Sequence, residues 1–212
     1  AFAFTHADAL ILSHGGIRPY FGTNPVCFAA PRKEEGAYCL DMATSVIPWN
    51  RVLVHRNSDT ELETGVAVDK DGNPTTNPHK AAAVLPAGGY KGYGLASMID
   101  IFCGIYTGMA YGRKIPAMYK AKMTEQRKLG QFYMVMRVDG AVSMNDFTSS
   151  LQQMTDEVRL EPVAGQESVM LPGDKEIKES KERLKNGVPL DDATIKAFRD
   201  LSIKYEVPLN LI

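Results

Sequence analysis

Residues 86–94 read Pro-Ala-Gly-Gly-Tyr-Lys-Gly-Tyr-Gly and run without a break into the apolar stretch Leu95–Ile105. Within that stretch Leu95, Met98, Phe102, Ile105 and Met109 recur at three- and four-residue spacing, which predicts a helix with one stripe facing a core. Asp100 is the only charge on the other side, so the helix is expected to be buried nearly all round. A glycine-dense segment holding one lysine, placed at a helix start, offers backbone N–H groups and the positive end of a helix dipole to an anion. It reads equally as a helix start tightened by glycine. Two common phosphate-binding patterns are absent: Ser97 stands where G-x-G-x-x-G needs its last glycine, and no G-x-x-x-x-G-K-[ST] occurs.

The 212 residues are enough to bury a sizeable core. A net charge of −1 leaves no basic footprint for nucleic acid or for a membrane surface. The longest apolar run, from Leu95 to Ala110, is interrupted by Asp100 and falls short of a membrane span. Cys27, Cys39 and Cys103 are odd in number and lie in apolar contexts without metal-ligand spacing. They are expected to be reduced core thiols of a cytoplasmic protein, with no metal.

Along the chain, residues 1–5 predict a short strand ending in Thr5-His6-Ala7-Asp8, a polar cluster of the kind that meets ligands in α/β sheets. His6 is a candidate base there, and Arg18 a candidate clamp for a carboxylate. Phe21–Pro25 is turn chemistry, and Val26–Ala30 predicts a second buried strand before the charged turn 32–36. Residues 37–45 run from apolar positions into Asp41 and then small, hydroxylated residues. Asp41 can accept a ribose hydroxyl from a strand end, or cap a helix starting at Met42. Thr64–Pro74 predicts a strand entering an Asp-Gly turn, and Gln131–Val138 a further buried strand. Ser143 or Asn145 caps an amphipathic helix with Phe147, Leu151, Met154 and Val158 inward. After a linker at 162–168, a charged helix at 175–185 and a last helix at 193–205 are expected, the latter with Ile195, Phe198, Leu201 and Ile203 as a docking face. The alternation predicts α/β, organised as a core at 1–147 and a C-terminal helical segment at 148–212.

Gly22-Thr23-Asn24-Pro25, Asp41-Met42-Ala43-Thr44, Lys91-Gly92-Tyr93-Gly94-Leu95 and Pro172-Gly173-Asp174 occur in an order and at separations that resemble the malate/L-lactate dehydrogenase family. Asn186–Leu190 fits that family's closing pattern. The stretches 67–76, Tyr111–Arg113 with Met118-Tyr119, and Leu129–Gln131 resemble a branch that oxidises ureidoglycolate. The resemblance implies a mixed α/β sheet flanked by helices, sulfolactate-dehydrogenase-like and not Rossmann. It implies a soluble homodimer or higher homo-oligomer with NAD or NADP as cofactor and a small hydroxy or keto acid as substrate.

Carried over by position, the cofactor contacts fall on Ala7, Asp41, Met42, Ala43, Lys91, Gly173 and Asp174. At Ala7, where a relative has serine, any contact has to come from the backbone. The expected reaction is hydride transfer, with ureidoglycolate going to oxalurate. Malate, lactate, sulfolactate, a sugar-derived keto acid or a cyclic imine are the alternatives, and a non-catalytic oligomerisation module is the alternative of another class. The family's proton-relay histidine, in a Gly-His-x-Gly motif, corresponds to a position upstream of residue 1. The chain is therefore expected to be a fragment lacking the N-terminal third, with no catalytic residue of its own and no activity alone. His14-Gly15-Gly16 echoes an earlier family motif but sits in the wrong place.

Overall fold

The computed structural model describes residues 1–34, 36–118, 120–122, 124–165 and 168–209. Tyr119, named in the resemblance above, and residues 166–167 of the expected linker lie outside them. Two compact units form, one spanning Ala1–Gly173 and one beginning at Asp174.

The first unit is built on two four-stranded sheets. Strands β1 (Phe2–Thr5), β2 (Ile11–Leu12), β3 (Pro19–Phe21), β4 (Val26–Ala30) and β5 (Tyr38–Met42) precede helix α1 (Trp49–Asn57). Strands β6 (Ala67–Val68) and β7 (Ala83–Val84) then lead into helix α2 (Tyr90–Asp100), which continues as a π-helical turn at Ile101–Ile105. Strand β8 (Gln131–Met134) and helix α3 (Met144–Arg159) complete the unit. One sheet, ordered β5-β4-β1-β8, is antiparallel throughout. The other, ordered β3-β2-β7-β6, mixes a parallel β2–β7 pair with antiparallel neighbours. The fold is α/β and is not a doubly wound parallel sheet.

Helix α2 joins two cores. Ala96 packs with Ile11, Val52, Val66 and Val84 on the mixed sheet, while Ile99 and Cys103 pack with Phe4, Phe102 and Phe132 on the antiparallel one. The core-facing positions are thus Gly92, Ala96, Ile99, Asp100 and Cys103. The stripe expected from periodicity is displaced: Leu95 is 41% exposed and Ile105 57%. The helix is not buried all round, and its lone charge points inward, with Asp100 only 2% exposed. Small residues line the inner face because two sheets converge on it.

Other expectations shift in the same way. The helix begins at Tyr90, so Lys91–Gly94 form its first turn and are not loop. Strand β8 ends at Met134 on a sheet edge, and Val135, expected to be buried, is 80% exposed. Ser143 caps α3 by accepting from the Asp146 N–H at 3.1 Å. Its one fully buried residue is Thr155, whereas Met154 is 43% exposed. The Asp69–Gly72 turn after β6 is closed by Asp69 Oδ1, which accepts from the Asp71 and Asn73 N–H groups.

The second unit contains helices α4 (Asp174–Asn186) and α5 (Asp192–Tyr205). Asp191 caps α5 by accepting from the Thr194 N–H at 2.7 Å. Phe198, Leu201 and Ile203 are exposed.

Candidate active site

Three of the four motif segments meet on one hydrogen-bonded frame around the Gly22–Pro25 turn. Asn24 is fully buried and holds three neighbours. Its Oδ1 accepts from the Ala7 N–H at 3.0 Å, and its Nδ2 donates to the Ala96 carbonyl at 2.8 Å and to Asp100 Oδ1 at 3.5 Å. The neighbouring Thr23 carbonyl accepts from both the N–H and the hydroxyl of Thr44, each at 2.9 Å. Thr44 in turn accepts from the Ala87 N–H at 3.0 Å, and the Val46 N–H donates to Leu85 at 2.8 Å. Residues 41–46 are thereby stitched to residues 85–92.

Gly92 is required by close approach: a Cβ there would sit 2.5 Å from the Thr44 carbonyl oxygen. The helix bearing Lys91 can therefore lie directly against the segment that follows Asp41–Ala43. Pro172–Gly173 meets β5, where the Cys39 N–H donates to the Pro172 carbonyl at 3.4 Å. Gly173 has φ +95°, and a Cβ there would stand 3.3 Å from the Cys39 nitrogen. Asp174 opens α4 in the second unit.

Asp41 lies within β5, paired with Cys27 on β4, and its side chain is exposed. The chain stays extended through Met42 and the next helix starts at Trp49, so Asp41 caps no helix. Lys91 is exposed in the first turn of α2, whose start has no side-chain cap and no acidic residue. The positive end of that helix is left uncompensated, which favours a bound anion. Beside it lies a cleft of about 340 Å³ lined by Leu12, His14, Val46, Pro86 and Gly89. His14, set aside on sequence position, stands on this wall edge-on to Tyr90, with ring centroids 6.2 Å apart. Only the pairing of two very short strands, β2 and β7, brings it there.

His6 is not a base facing substrate. It is 2% exposed, and its Nε2 accepts from the Gly130 N–H at 3.3 Å, leaving Nδ1 as the protonated nitrogen. Burial first, and the Arg127 charge after it, hold its pKa below the usual histidine value against the pull of Asp100. Burial pushes Asp100 up, opposed by the Gly112 N–H, His6 and Asn24. Asp8 pairs with Arg127, which also donates to the Pro116 carbonyl, so Pro116 and Arg127 are tied to the segment after β1. Arg18 is exposed, and His79 pairs with Asp59 at the surface. The cluster of His6, Asn24, Asp100 and Gly112 went unread in the sequence because its members are far apart along the chain.

An α/β frame that carries these motifs on paired sheets defines a class of known enzymes. The malate dehydrogenase of Entamoeba histolytica shares the fold at a TM-score of 0.89 and 24% identity, over 99% of this chain and 62% of that one. The sulfolactate dehydrogenase of Methanocaldococcus jannaschii follows at a TM-score of 0.81 and 29% identity, over 96% of this chain and 58% of that one. Residues 1–199 match the family model for malate/L-lactate dehydrogenase, and the chain belongs to that family. Among curated relatives, the ureidoglycolate dehydrogenase (NAD(+)) of Escherichia coli is 37% identical over 188 residues, covering 88% of this chain and 54% of the relative. The chain thus spans about half the length of that relative.

Proposed function

We propose that this chain carries the nicotinamide-nucleotide site of an NAD(P)-dependent dehydrogenase acting on a small 2-hydroxy acid. The observation that supports it is the single frame in which Asn24, Thr44, Ala87 and Gly92 join the segments of Ala7, Asp41–Ala43 and Lys91. The residues fit a dinucleotide. Asp41 offers an exposed carboxylate to ribose hydroxyls, and Lys91 an ammonium to a phosphate or to the nicotinamide side. Gly173, with no side chain, lets the backbone lie close against Cys39. The Ala7 N–H is held by Asn24, so its carbonyl, with the backbone of Met42-Ala43, completes the contacts.

When bound, the nicotinamide ring supplies the hydride acceptor. The chain's own part is to bind and orient, with the uncapped start of α2 favouring the negative end of the cofactor. No residue of this chain serves as the proton relay, and the protein is a cytoplasmic homodimer or higher homo-oligomer.

Ureidoglycolate, oxidised to oxalurate, is the substrate this reading favours, on the 37% identity to a ureidoglycolate dehydrogenase. The likeness to malate and sulfolactate dehydrogenases makes their acids the comparison substrates. NADH fluorescence titration of the chain tests the site. Saturable binding that Lys91→Ala weakens about tenfold or more, the loss of one charge-assisted contact, is expected. Undiminished binding in that variant would remove Lys91 from the site. A panel of hydroxy acids offered to the whole gene product tests the substrate.

A further inference from the structure

Cys27 on β4 and Cys39 on β5 sit with their sulfurs 3.9 Å apart, and both are half-buried. The register pairs Cys27 with Asp41 and Ala29 with Cys39, so the two cysteines are diagonal neighbours on one face, which Asp41 shares. Cys103 is sealed in the core, and burial pushes its thiol up to about 11. We propose that Cys27 and Cys39 form a reversible disulfide by exchange with a low-molecular-weight disulfide, and that closing it displaces the β5 segment carrying Asp41. The functional half of this proposal rests on the nucleotide site described above.

The chemistry balances without a metal or a further oxidant. A Cys39 thiolate attacks one sulfur of the external disulfide, forming a mixed disulfide and expelling one thiolate. Cys27, as thiolate, then attacks Cys39 Sγ, the mixed disulfide breaks, and a second thiolate leaves. The two protein protons end on the two released thiols, and the external disulfide is the species reduced. Burial, and the Cys39 thiol and Asp41 beside it, push the Cys27 thiol up, so Cys39 attacks first and Cys27 is the slower, resolving thiol.

Geometry makes the bond consequential. A disulfide holds its sulfurs about 2.0 Å apart, so from 3.9 Å they must approach by roughly 1.9 Å. Diagonal cross-strand residues have Cα atoms about 7–8 Å apart. Disulfides favour Cα separations near 5.5–6 Å. Side-chain rotation therefore covers only part of the approach, and the backbones of β4 and β5 supply the rest. Cys39 is also where Pro172–Gly173 touches the sheet, so the movement reaches two of the family motifs at once. A bond closed against such resistance is readily reduced, as a regulatory one has to be.

The test treats the 212-residue chain with oxidised glutathione and maps its peptides without reduction. A Cys27–Cys39 crosslink reversed by dithiothreitol is expected, unchanged in C103A. C27A and C39A should instead hold a single glutathione each, with C39S as the volume-conserving substitute should C39A fold poorly. Amide exchange across residues 38–43 should rise on oxidation, and NADH affinity should fall about tenfold, the worth of one hydrogen bond from Asp41. Absence of the crosslink overturns the proposal, and so does a crosslink that leaves exchange at 38–43 unchanged. Should the reduced chain fail to bind NADH, the nucleotide reading falls. Exchange at 38–43 then decides the disulfide alone.

Discussion

Replacing Asn24 by alanine should cost about 3–5 kcal/mol, and the sum can be built from its contacts. The Ala7 N–H loses the Oδ1 acceptor at 3.0 Å, and the Ala96 carbonyl on α2 loses its side-chain donor at 2.8 Å. A group left unsatisfied in the interior costs about 1–3 kcal/mol, with Ala96 toward the low end because a helix carbonyl keeps its own helical partner. Asn24 also holds φ +29°, on the left-handed side, where alanine is disfavoured by about 1 kcal/mol. Against a typical total stability of about 5–15 kcal/mol, the variant is brought close to unfolding at room temperature. Urea titration followed by circular dichroism measures it, as a fall in midpoint with an unchanged slope. Asn24→Asp is the sharper companion. It keeps the shape and the bond to Ala7, but turns an oxygen toward the Ala96 carbonyl and Asp100. Two carboxylates then share a buried site, so one is driven to take up a proton and the deficit should shrink as pH falls. An Asn24→Ala loss below about 1 kcal/mol, or Asn24→Asp matching the wild type at neutral pH, would refute the idea that Asn24 holds the frame.

Gly92→Ala should destabilise the chain by about 1–3 kcal/mol through overpacking against Thr44, and weaken NADH binding more than a surface change on the same turn, such as Gly94→Ala, where nothing stands within 4 Å of the added carbon. Calorimetry and titration together check it. His6, with its pKa lowered from 6.5, binds fewer protons folded than unfolded, so its contribution to stability is lost as pH falls from 6.5 through the lowered folded value. Asp100, raised from 3.8, acts with the opposite sign between 3.8 and its folded value. His6→Gln should therefore flatten the stability profile just below pH 6.5, read from urea midpoints at a series of pH values, and an unchanged slope would contradict the assignment.

What the sequence disclosed and what it hid divide along a physical line. Strands of four or five residues such as β1, β4 and β5 were legible because apolar runs bounded by turn residues specify them locally. The cap at Ser143, one of the two positions expected, was legible for the same reason. Strands β2 and β7 have two residues each, too few to show a period, and α1 went unassigned because it buries only Val52 and carries a weak apolar stripe. The family's motifs could be recognised one by one, but not the way Thr44 and Asn24 fasten them together. Those bonds join positions 17 to 76 residues apart.

Asp100 shows most clearly why periodicity misplaced the inner face of α2. A scale that ranks Leu95 and Ile105 as inward and aspartate as outward assumes one apolar neighbour on one side. Here two sheets converge on the helix, and the space between them admits Gly92 and Ala96 but not leucine. The carboxylate of Asp100 is admitted because the Gly112 N–H at 3.0 Å and Asn24 are there to meet it. The side that size and partners select is therefore the polar, small-residue side. A helix start rich in glycine follows from the same constraint, since whatever crosses the Thr44 carbonyl has to do so without a side chain. The glycines that read as a ligand loop are thus in part packing glycines. At Gly92 close packing is what sets the turn bearing Lys91 against the segment that follows Asp41.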